Sequence, residues 1–65
     1  MKSIPHLFAD ITARAEDLHA ISIEGHYRDN SADMQNALAG HLRMTIAALD
    51  SIVGEIKHRS GNADD

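Results

Sequence analysis

Apolar residues recur at intervals of three and four along the first part of the chain. Ile4, Leu7, Phe8, Ile11, Ala15, Leu18 and Ile21 fall in this way on one face of a helix, with Ile4, Ile11 and Leu18 seven residues apart. Ser3 is suited to the N-cap, and Pro5 to the first turn, where its missing N–H has no partner to lose. Gly25 can take the left-handed conformation favoured just past a helix end, so the pattern predicts a helix over residues 4–24. The alternation in Ile21-Ser22-Ile23-Glu24 leaves an end nearer Ala20 as the alternative.

The segment Gly25-His26-Tyr27-Arg28-Asp29-Asn30-Ser31 is rich in turn formers and reads as a short connection. Asn30 or Ser31 can cap a second helix, whose first turn holds Asp33 at the positive end of the dipole. Leu38, Leu42, Thr45, Ile46, Leu49, Ile52, Val53 and Ile56 then continue the three-and-four rhythm. Lys57, His58 and Arg59 suit the negative end, and Gly61 is the stop, so the second helix is expected over residues 31–59. Asp10 with Arg14, and Glu55 with Arg59, are acid-before-base pairs four residues apart.

Two helices joined by so few residues lie antiparallel, which predicts an all-α two-helix hairpin occupying residues 1–59 as a single domain. Its core is expected to be Leu7, Phe8, Ile11, Leu18, Leu42, Leu49, Ile52 and Ile56. The residues from Ser60 to Asp65 read as a disordered acidic tail.

The second helix has a further regularity. With Leu42, Leu49 and Ile56 at heptad position a, Leu38, Thr45 and Ile52 occupy d, and Ile46 and Val53 occupy e. The far side is small rather than polar, with Ala37, Gly40, Met44, Ala47, Ser51 and Gly54 at c and f. The polar residues Asn36, Arg43, Asp50 and Lys57 keep to the b line, with Gln35, His41 and Glu55 nearby. A glycine in a helix interior costs about 1 kcal/mol relative to alanine, a cost without purpose on a solvated face. The small stripe is therefore expected to be a close-contact interface; the plainer alternative is that small residues are simply tolerated there.

Composition turns this into an argument about assembly. The chain has 65 residues, 43% of them hydrophobic, but Phe8 and Tyr27 are its only aromatics and it has neither Trp nor Cys. A chain this short buries only about 60% of its unfolded surface, and small domains usually need disulfides, a metal or a partner subunit. Without cysteine, disulfides and thiolate metal sites fall away, leaving oligomerisation or a histidine and carboxylate site. Two hairpins can close a four-helix bundle around a shared core, so a homodimer is the expected state.

The net charge of −4 owes half its size to Asp64 and Asp65. Arg28, Arg43, Lys57 and Arg59 are dispersed among acids, and two aromatics are too few for base stacking, so nucleic acid is not the expected partner. His6, His19, His26, His41 and His58 raise the question of metal, yet no two lie at helical ligand spacing. The pairs to consider are His6 with Asp10, Glu16 with His19, and His19 with His41 across chains. Neither a bound metal nor another cofactor is expected. An unperturbed imidazole changes charge between about pH 5 and 8, so five histidines offer a pH response, with incidental titration as the plainer alternative.

Two polar residues interrupt the apolar faces. Arg14 either snorkels outward or pairs with Asp10, Asp17 or a carboxylate of the second helix, and Thr45 breaks the corresponding line there, where polar residues can set register or oligomer state. No run approaches a membrane span, no apolar segment follows Met1-Lys2-Ser3, and the absence of cysteine suits a reducing compartment, so a cytoplasmic location is expected. No serine stands in a nucleophile-elbow setting and a helical pair offers little concavity, so no enzyme is expected. The expected function is that of a small, non-enzymatic protein–protein interaction module or regulator. The alternatives are a nucleic-acid-binding helical dimer and a histidine and carboxylate metal-binding protein.

Overall fold

A computed structural model describes residues 2–27 and 29–63 of the chain. It is an all-α hairpin of two helices, α1 (Ile4–Tyr27, 24 residues) and α2 (Ala32–Ala63, 32 residues), with no strand among the described residues. Arg28, Asp64 and Asp65, assigned from sequence to the connection and the tail, lie outside the described residues.

Both helices begin as the sequence requires. The His6 amide donates to the Ser3 hydroxyl at 3.3 Å and the Met34 amide donates to the Ser31 hydroxyl at 3.1 Å, so a serine caps each N-terminus. Asn30 serves the preceding helix instead. Its side-chain amide donates to the Glu24 carbonyl at 3.0 Å, satisfying a carbonyl near the end of α1, while its own carbonyl accepts from the Gln35 side chain at 3.3 Å. The connection is thus tied to the end of one helix and the start of the next.

The ends of the helices depart from expectation. Gly25 is not a left-handed cap: α1 runs on to Tyr27, and no described glycine has a positive φ. Gly61 does not stop α2 either, because the helix continues through Ala63 and takes in Ser60 and Gly61, which the sequence had assigned to the tail. Glycine permits an αL turn without imposing one, and the i→i−4 ladder simply continues through both positions.

The packing follows a heptad seam in both helices. In α2 the positions withdrawn from solvent are, besides Ala48, Leu38, Leu42, Thr45, Leu49, Ile52, Ile56 and Arg59, which alternate d and a without a break. In α1 the matching seam is Ile4, Leu7, Ile11, Leu18 and Ile21, with Arg14 exposed between Ile11 and Leu18. Gly25 takes the next a position, and a Cβ placed on it would lie 3.9 Å from Leu38 Cδ1, which fixes the register at the loop end.

Of the expected core, Leu7 is buried, and Ile11, Leu18, Leu42, Leu49, Ile52 and Ile56 are half-buried. Phe8 is not core: it is 54% exposed, because it sits one residue past the d position of Leu7, at e. Ile21 and Thr45 join Leu7 as buried residues. Thr45, 7% exposed, resolves its polarity locally by donating its hydroxyl to the His41 carbonyl at 3.0 Å.

Candidate functional site

The charged groups gather at the open end of the hairpin. Lys2 Nζ lies 2.7 Å from Asp10 Oδ2, and His6 Nε2 lies 3.7 Å from Asp10 Oδ1, one turn before it. From α2, the Arg59 guanidinium donates to the Lys2 carbonyl and, at 2.5 Å, to Glu55 Oε1. The hydrogen bond from Lys2 holds the Asp10 carboxyl below its ordinary pKa, with the charges of Lys2, His6 and Arg14 adding to it and desolvation opposing. Arg14 turns toward Asp17 at 3.1 Å rather than toward Asp10, and both groups of that pair are about half exposed. Of the two acid-before-base pairs expected from spacing, Glu55 with Arg59 forms as such, whereas Asp10 is engaged by Lys2.

These charges border a shallow groove on one side of the hairpin, with Leu7, Ala48 and Ile52 in its floor and Lys2, Asp10, Arg14, Ser51 and Glu55 around it. Asp10 and Ala48 are the only described helical residues off the a and d seam that are partly withdrawn from solvent, and both occupy g. In an antiparallel pair the two g lines share one side and the two e lines the other. The polar, partly filled side is therefore g with g, and the open side is e with e.

The e lines hold no charge. They carry Phe8, Ala15 and Ser22 on α1, and Ala39, Ile46, Val53 and Ser60 on α2. Ile46 is 55% exposed and Val53 42%, comparable with Phe8. The periodicity alone puts Phe8 in the core and Ile46 and Val53 on the apolar face of α2. The signal for all three was the heptad itself, had it been carried from α2 into α1.

The small-residue stripe lies elsewhere. Ala37, Gly40, Met44, Ala47, Ser51 and Gly54 are all exposed, and a Cβ on Gly40 or Gly54 would meet nothing within 4 Å. No neighbour within the chain meets the stripe at either glycine, while Ser51 edges the polar groove and Gly40 lines a depression with Asn36, Ala39 and Arg43.

The histidines are scattered. His6 reaches Asp10, His26 meets Tyr27 edge-to-face with ring centroids 4.5 Å apart, and His19 and His26 border an open depression with Ser22, Ile23 and Tyr27. Glu16, His19 and His41 are exposed. Among the described residues no three histidine, aspartate or glutamate side chains come together as a metal site. Among those residues, too, no helix is long and apolar enough to cross a membrane. No protein-family model matches the chain, and neither a curated protein nor a solved structure matches it.

Proposed function

We propose that this chain is a small protein–protein interaction module that works as a homo-oligomeric helical hairpin and acts by binding rather than catalysis. The observation that carries this reading is surface. The hairpin exposes 5112 Å², whereas a compact monomer of its 7.1 kDa mass would expose about 4,100 Å². The radius of gyration is 15.2 Å, against about 11 Å for a compact domain of this length. The excess of roughly 1,000 Å² is of the size that one partner buries in a standard interface, about 800 Å².

The core of one hairpin supports the same reading, since Leu7 and Ile21 are the only buried apolar residues among those described, and neither is fully enclosed. A cytoplasmic setting, to which a cysteine-free chain is suited, is part of the proposal.

Size-exclusion chromatography with light scattering, at protein concentrations a hundredfold apart, tests it. The expected result is a multiple of 7.1 kDa, with thermal unfolding that moves to higher temperature as concentration rises. A monomer mass at both concentrations, together with a concentration-independent melt, would remove the homo-oligomer.

A further inference from the structure

We infer that the uncharged face formed by the two e lines is covered by a second copy of this chain, and that a two-fold axis crossing α2 between Arg43 and Asp50 relates the two copies. This rests on the oligomeric reading above and specifies the face and geometry that reading leaves open. Helices buried in a bundle show apolar residues at a, d and either e or g, a wider band than the a and d seam of an isolated pair. Here the extra line is e on both helices, with Phe8, Ile46 and Val53 exposed along it. The side opposite carries Asp10, Glu55 and the Lys2 ammonium, where a closely packed copy would have to desolvate ion pairs.

Charge chooses between the two-fold arrangements. Beside the e line of α2 runs its b line, Asn36, Arg43, Asp50 and Lys57. Among the described residues neither Arg43 nor Asp50 has an ion-pair partner within the chain. An axis perpendicular to the helices sets α2 antiparallel to α2 of the second copy. Arg43 then faces Asp50 twice, once from each copy, as an isologous interface requires.

On α1 the same axis passes between Glu16 and Asp17, by the register that Gly25 and Leu38 define. Near the loop end the small residues Ser22 and Gly25 then leave room for Phe8 of the other copy. An axis parallel to the helices would instead set α2 against α1, with Arg43 and Asp50 opposite the b line of α1, which offers Thr12 and His19 and no carboxylate.

Light scattering and sedimentation equilibrium of the full chain and four variants test the arrangement. Ile46→Glu lies off the hairpin's own seam and is expected to give a monomer where the wild type associates. Arg43→Asp and Asp50→Arg each replace two opposite-charge contacts by like-charge ones and are expected to weaken association roughly tenfold. The double variant, carrying both reversals, is expected to recover the wild-type constant, a result that general destabilisation of the hairpin would not produce. Met44→Glu, on the outer c line, is expected to leave association unchanged. A wild-type oligomer that survives Ile46→Glu but is dissociated by Met44→Glu, or a double reversal no tighter than its singles, overturns this face while leaving self-association intact. A monomeric wild type overturns both.

Discussion

The Arg59 guanidinium donates to the backbone carbonyl of Lys2, joining residues 57 apart in sequence and closing the end of the hairpin opposite its loop. Arg59 also holds Glu55, and Lys2 in turn holds Asp10, so a single cation of α2 orders the residues that lead into α1. Arg59→Ala removes both bonds and the packing of the side-chain stem at a d position. The expected loss is about 1–2 kcal/mol, read as a lower urea midpoint. Arg59→Met, which keeps the stem, should lie between. If Arg59→Ala unfolds with the wild type, the clasp contributes nothing.

Asp10 makes the clasp sensitive to acid. Its folded-state pKa is lowered from the ordinary 3.8, chiefly by the hydrogen bond from Lys2. A depressed carboxyl contributes stability that is complete above the unfolded value and is lost as pH falls through the folded one. The wild type should therefore be more stable than Asp10→Asn at pH 7, with the gap closing as pH drops below the ordinary carboxylate range. Denaturant midpoints at several pH values measure it, and a gap independent of pH would refute it.

Gly25, Gly40 and Gly54 are helical without positive φ, and each has room for a methyl group. Alanine at Gly40 or Gly54 would enter open space, and at Gly25 it would make an ordinary contact with Leu38. Each Gly→Ala change should raise stability by about 0.5–1 kcal/mol. A loss at Gly40 or Gly54, seen by calorimetry, would instead mark the small stripe as a close contact in the assembled state.

Thr45 is buried, with its hydroxyl returned to the His41 carbonyl. Because that carbonyl lies within the helical ladder, Thr45→Val removes no essential partner and should be neutral or stabilising by up to about 1 kcal/mol. Thr45→Ala should cost about 1 kcal/mol for the lost methyl. If Thr45→Val keeps stability but changes the mass in solution, the polar break sets oligomeric state.

At the loop, Ser31 caps α2 and Asn30 caps the end of α1. Ser31→Ala should cost about 1 kcal/mol. Asn30→Ala should raise amide hydrogen exchange in the last turns of α1 while leaving the middle of α2 protected. Uniform loss of protection along both helices would mean that the loop has no local role.

Much of this was legible from local chemistry. Ser3 and Ser31 announced the helix starts because a cap needs only one hydroxyl and the next turn of backbone, and Glu55 found Arg59 because four residues on a helix bring them together. The same local reasoning failed at Gly25 and Gly61, whose conformational freedom says where a helix can end and not where it does. Lys2 and Asp10, eight residues apart, and Arg59 and Lys2, at opposite ends of the chain, follow no helical spacing.

By itself the sequence determined two amphipathic helices and an antiparallel hairpin, because periodicity and a short connection admit little else. The tertiary structure decided which side of that hairpin is finished. Phe8, Ile46 and Val53 match their seam neighbours in hydrophobicity, and only the rotation of each helix about its axis, set by the packing of the pair, leaves them facing outward. That rotation balances every seam contact at once, so no single residue along the chain encodes it.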